Sequence, residues 1–135
     1  MKKFKLHAIA LLVVASSVFT SCSNNDDIPG PSVVLKESLV TVVTGPETAN
    51  LNQEVSLTTS FVVENSCGAF NKFIETTVGN TKTIVVEANY VGSNCVATPA
   101  TKTATYKFKS ATAGTYNLKF KKTATEFITH TIVVE

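Results

Sequence analysis

The sequence predicts an all-β protein, a single antiparallel β-sandwich of about seven strands, and three observations lead there. Threonine is abundant, 20 of 135 residues, and valine and isoleucine accompany it. These side chains suit a pleated, half-buried surface. Apolar and polar residues alternate with a period of two over several short runs. Gly, Pro and Asn punctuate the runs at intervals of about 8–12 residues, the spacing of a sandwich built from short strands. Behind the first two dozen residues no stretch keeps a helical period, and there is no internal repeat.

Ser32–Val43 is the first predicted strand, or two short ones split near Lys36-Glu37, and Gly45-Pro46 ends it. Glu54–Glu64 alternates cleanly, with Val55, Leu57, Thr59, Phe61 and Val63 on one face. Asn65-Ser66-Cys67-Gly68 turns the chain. Phe70–Val78 reads as a weaker strand because its alternation is mixed. Gly79-Asn80 is a hairpin turn signal. Thr81–Val91 follows, with Ile84, Val86, Ala88 and Tyr90 facing inward, and Gly92 to Pro99 is loop. Thr101–Lys109 directs Ala104, Tyr106 and Phe108 inward, and Gly114–Lys122 does the same with Tyr116, Leu118 and Phe120. The last strand, Glu126–Val134, places Ile128, Ile132 and Val134 on one face together with His130.

The run Thr112-Ala113-Gly114-Thr115-Tyr116-Asn117-Leu118 resembles the tyrosine corner of immunoglobulin-like domains, in which Gly114 and Tyr116 would open the next-to-last strand. The resemblance implies a Tyr116 ring in the core and a hydroxyl satisfying a nearby backbone group. Thr112 stands where antibody domains usually carry Asp, Leu118 stands where they carry the disulfide Cys, and there is no Trp. The likeness is therefore to the broad immunoglobulin-like sandwich class over residues 33–135, not to antibody domains.

Ahead of the domain, Lys2, Lys3 and Lys5 precede an apolar run from about Ala8 to Phe19. That run is shorter than the roughly 20 apolar residues a membrane-spanning helix needs and has the build of a secretory signal. Phe19-Thr20-Ser21-Cys22 resembles the lipobox of bacterial lipoproteins, with Phe19 where Leu is commoner and Thr20-Ser21 where Ala-Gly is. The resemblance implies a signal peptide at 1–21, lipidation of Cys22, and a tether at 22–32 broken by Pro29, Gly30 and Pro31. Asp26 and Asp27, close behind the cysteine, look like the surface-export signal of Bacteroidota lipoproteins. The expected location is the outer membrane, displayed at the cell surface, with the periplasmic leaflet as the alternative. An ordinary cleaved signal with an incidental thiol at Cys22 is the alternative to lipidation.

The whole chain is +2, but three of its 12 basic residues lie in the first 21, leaving nine lysines against ten acids, or −1. A near-neutral chain gives no case for nucleic acid. With Cys22 set aside, Cys67 and Cys95 remain, and in an oxidising compartment a disulfide between them is the expectation. They do not form C-x-x-C, so neither a metal site nor a redox pair is indicated.

Residues 33–135 contain no Asp, no Arg and one His, His130, so a Ser-His-Asp triad cannot be assembled from them. The glutamates are scattered, and no phosphate-cradling glycine loop appears. No catalytic residue, cofactor or metal is expected. His130 reads as a packed or hydrogen-bonded sheet residue, with a ligand or base role as the alternative. Lys102, Lys107, Lys109, Lys119, Lys121 and Lys122 concentrate in the C-terminal third. They form either a basic patch for an anionic partner or ordinary solvated strand faces. Expected partners are the membrane, through Cys22, and an unknown glycan or protein ligand. The functional expectation is a non-catalytic binding or adhesion module, with an accessory subunit of an envelope complex as the alternative. Exposed clustered aromatics would favour a glycan, and an exposed apolar edge strand would favour a protein. Phe70 and Phe73 are the loop-adjacent aromatics that bear on that choice.

Overall fold

The computed structural model describes residues 30–135. The predicted signal peptide, Cys22 and all of the predicted tether except Gly30, Pro31 and Ser32 lie outside the described residues. Nine strands follow one another: β1 (Val33–Ser38), β2 (Val40–Thr44), β3 (Thr48–Ala49), β4 (Val55–Val63), β5 (Gly68–Val78), β6 (Thr81–Val91), β7 (Ala100–Phe108), β8 (Gly114–Lys121) and β9 (Phe127–Val134). They form two sheets. The smaller has the order β2-β4-β7, and the larger β1-β6-β8-β9-β3 with β5 on β6. The protein is an all-β sandwich.

The all-β sandwich expected from the sequence is present, and three details differ. The described residues form nine strands rather than about seven. The expected first strand is two, and it breaks at Leu39 rather than near Lys36-Glu37, because Ser38 is still paired with Val86 in the large sheet while Val40 pairs with Phe61 in the small one. The chain thus changes sheets within two residues. β3 is only two residues long, too short to leave a period in the sequence. The sheets are also not wholly antiparallel, since β3 pairs with β9 and β6 with β8 in parallel. A parallel pair needs a long connection, and the path from β6 to β8 supplies one by way of β7 in the other sheet.

β6 is the spine of the large sheet. β5 lies along one of its edges from Gly68 to Val78. The other edge is shared: Thr81–Ile84 pair with β8, and Val86–Val91 pair with β1. Where β8 gives way to β1, the Lys121 ammonium meets the Glu37 carboxylate and closes the seam.

The core fills with the inward residues of both sheets. Val40, Leu57, Phe61, Val63, Ile84, Val86, Ala88, Leu118, Phe120 and Ile132 are fully buried, and Tyr106, Phe108 and Val134 nearly so. Removing a Leu, Val or Phe side chain from water contributes about 1.5–3 kcal/mol each. Two polar residues are buried as well: the hydroxyls of Ser38 and of fully buried Thr59 have no hydrogen-bond partner among the described residues. Gly68 is required by close approach, because a Cβ there would come within 2.5 Å of the Val63 Cβ and 2.8 Å of the Tyr90 ring.

Candidate functional site

Three features of the domain bear on function: the end closed by the cysteines, the free edge of β5, and the distribution of charge. Cys67 lies in the β4–β5 connection and Cys95 in the β6–β7 connection. Gly68 is paired with Tyr90 at that end of the sheet, so the two loops meet. Cys67 and Cys95 form a disulfide, with Cα atoms 5.4 Å apart. Two reciprocal hydrogen bonds reinforce it. The Ser66 amide donates to the Val96 carbonyl at 3.0 Å, and the Val96 amide donates to Ser66 Oγ at 2.9 Å. The Asn65 side chain accepts from the Cys67 amide at 3.0 Å. The cross-linked loop pair presents Val96 at 64% exposure.

β5 is the longest strand with a free edge. Among the described residues it pairs with β6 alone. A bulge between Phe70 and Lys72 sets both Asn71 and Lys72 against Glu87, where the Asn71 amide donates to the carboxylate at 2.6 Å. The extra residue lets Phe70 and Phe73 share the inward face. Their rings begin a row through the sandwich: Phe61–Phe70 at 6.0 Å, Phe70–Phe73 at 4.8 Å, Phe73–Tyr106 at 5.2 Å and Tyr106–Phe120 at 5.4 Å between centroids. Of the two aromatics singled out from the sequence, Phe73 packs against the core, whereas Phe70 stays exposed while touching Phe61 and Phe73. Beyond the bulge, Phe73–Val78 runs straight along the open edge, and its outward side chains include exposed Ile74 and Val78, the latter at 76%. Bulges and lysines are devices that blunt a sheet edge. Here they guard only the half of β5 nearer the disulfide. The Glu75 carboxylate faces inward, where Lys82 meets it at 3.0 Å. Burial, with Glu75 adding to it, pushes the Tyr106 hydroxyl well above the ordinary tyrosine value.

The lysines do not converge. Lys102 and Lys107 lie on β7 in the small sheet, whereas Lys119 and Lys121 lie on β8 in the large one. Lys107 and Lys119 point to opposite outer surfaces, since Tyr106, Phe108, Leu118 and Phe120 take the inward positions. Lys107 pairs with Glu54 at 2.8 Å, Lys122 with Glu126 at 3.8 Å, and Lys119 lies 5.6 Å from the Phe127 ring centroid. Glu54 raises the Lys107 pKa and Glu64 that of Lys36.

His130 lines a shallow depression of about 380 Å³ with Glu47, Thr48, Thr129, Thr131 and Val133. Its Nε2 donates to the Pro46 carbonyl at 2.9 Å, bracing the turn before β3. Among the described residues no three of His, Cys, Asp or Glu gather into a metal-binding group. Gly114 and Tyr116 open β8. Gly114 has φ 149°, in the region that favours glycine. The Tyr116 hydroxyl donates to the Thr112 carbonyl at 3.0 Å and accepts from Ser110 Oγ at 2.7 Å. That bond ties the start of β8 to the backbone just ahead of it.

Comparison of the chain with protein-family models, with curated proteins and with solved structures returns no match.

Proposed function

We propose that the protein is a non-catalytic binding module, lipid-anchored through Cys22 and displayed at the cell surface, whose ligand is a polypeptide received along β5. The observation that supports this reading is the edge Phe73–Val78, unpaired among the described residues and carrying exposed Ile74 and Val78. An extended peptide added to such an edge gains main-chain hydrogen bonds, while alternate side chains give specificity. A glycan ligand is the weaker reading, because of the two rings that would stack on sugar Phe73 packs against the core, leaving Phe70 as a single exposed ring rather than a cluster. The anchor and the surface location rest on the lipobox-like Phe19–Cys22 and on Asp26-Asp27 behind it. The accessory-subunit reading uses the same edge on the periplasmic side of the membrane.

Protease treatment of intact cells tests the location. Release of the domain is the expected result, and protection until the outer membrane is opened would replace surface display by the accessory-subunit reading. A photo-crosslinking residue at Ile74 tests the ligand class. The expected product is a polypeptide adduct that a crosslinker at Thr44 does not form. A carbohydrate adduct, or equal products at both positions, would overturn the β5 assignment.

A further inference from the structure

Three segments at one end of the sandwich carry no charge, and the β8–β9 turn that opens toward the same side holds Lys122 and Glu126 as an ion pair. Residues 30–35, 65–71 and 88–101, which build the start of β1, the end of β6 and both disulfide-linked loops, contain no Lys, Arg, His, Asp or Glu. The first charges met along β1 and beyond β4 are Lys36 and Glu64, and these neutralise each other in an ion pair. Apolar side chains stand exposed across the same end. Val33 faces Val91 across the β1–β6 ladder, Val34 and Leu35 continue β1, and Val96 projects from the stapled loop. The opposite end is built differently, with Glu54, Lys107, Lys109 and Glu135 around its loops. An apolar patch of this kind on an otherwise polar domain marks a contact surface.

The position of the chain's amino-terminal side says what covers it. Gly30 to Ser32 lead into β1 at this end, not at the opposite one. Ten residues lie between Cys22 and Val33, so eleven Cα–Cα steps join them. Fully stretched, that length reaches about 40 Å, and as a coil its root-mean-square span is about 18 Å. With acyl chains on Cys22 in the bilayer, this end is held close to the lipid surface at high effective concentration. Charge at a membrane is costly to desolvate, and exposed valine and leucine are favoured at the acyl boundary. The exposed apolar surface and the short leash thus point to one occupant.

We infer that the disulfide-closed end of the domain rests on the phospholipid surface to which Cys22 is attached. The inference rests on the lipid anchor proposed above and adds an orientation to it. β5 then stands across the membrane plane, with Val78 and the charged loops outermost. The disulfide and the Ser66–Val96 hydrogen bonds hold the contact surface in shape, so lipid contact requires no refolding of the loops.

The chain has no Trp, which makes a single introduced Trp a clean reporter. Val96→Trp and Val78→Trp, both at exposed sites, place it at the two ends, and Val33→Trp gives a second position at the disulfide-closed end. Each full chain, purified in its membrane-extracted form, is reconstituted in phosphatidylcholine–phosphatidylglycerol vesicles with or without brominated acyl chains. The expected result is a blue shift and several-fold stronger bromine quenching at 96 and 33 than at 78. Equal quenching at both ends, or none at 96 and 33, would overturn the inference and leave a protein partner as the occupant of that end. The mass of the Cys22 peptide is read on the same samples. A missing acyl mass would overturn the anchor alone. The Trp pairs are then measured with the Cys22 thiol coupled to a maleimide-bearing lipid, and that measurement judges the orientation by the same two outcomes.

Discussion

Phe70 and Phe73 lie three residues apart on β5 yet face the same side of the sheet, their ring centroids 4.8 Å apart. In a regular strand that spacing would send them to opposite faces. Asn71 is the extra residue that makes the arrangement possible, and it leaves the open edge beyond it free to run straight.

Deleting Asn71 restores the period of two and turns every residue on one side of the deletion to the wrong face. The expected cost is about 3 kcal/mol or more, comparable to emptying a large aromatic site. Asn71→Ala keeps the residue count and loses only the hydrogen bond to Glu87, so it should cost about 1 kcal/mol or less. Urea unfolding of the two variants checks the difference.

Thr59 buries a hydroxyl without a partner between Leu57 and Phe61 on the inward face of β4. Thr59→Val keeps the shape and removes the unpaired polar atom. Stability should rise by about 1–2 kcal/mol. A fall in the urea midpoint would mean that the hydroxyl is satisfied in a way the structure does not contain.

The disulfide spans 28 residues of sequence. In the chain-entropy account, closing a loop of that length stabilises the fold by about 3–4 kcal/mol. Cys67→Ser with Cys95→Ser should lower stability by about that amount while retaining the strand content seen by circular dichroism. Because the paired loops carry Val96, the same variant should also weaken bromine quenching of a Trp placed there.

Tyr106 gives the domain an alkaline limit. Burial holds its folded pKa above the ordinary 10.0. Below pH 10.0 the residue is protonated in both folded and unfolded chains, and its contribution is complete. As the pH rises past 10.0 the unfolded chain ionises while the folded one keeps its proton, so stability falls. The slope should flatten in Tyr106→Phe. Unfolding curves taken at rising pH for the two proteins measure it, and parallel slopes would contradict the shift.

Much of this fold is written in alternation. β4 and β6 are legible because every second residue of Val55–Val63 and Ile84–Tyr90 is buried. The Cys67–Cys95 bridge is legible because only those two cysteines remain once Cys22 is set aside. What escapes is whatever breaks the period or acts at long range. The bulge at Asn71 blurs β5, since one added residue shifts the pattern halfway along. β3 is too short for a pattern, and no local signal tells that β6 takes β8 as a parallel neighbour. Lys102–Lys122 look clustered in sequence only because β7 and β8, which lie in different sheets, are consecutive.

The ladder between β1 and β6 has a mechanical consequence. β1 begins at the end of the domain facing its amino-terminal segment and runs directly away from it, pairing with β6 from Val33–Val91 to Ser38–Val86. A load entering at Val33 pulls along the strand axis, while the ladder bonds lie across it. The β1–β6 bonds therefore bear the load together in shear and do not open one after another like a zip. A domain tugged between an anchored amino terminus and a ligand on β5 would yield late, and it would yield all at once.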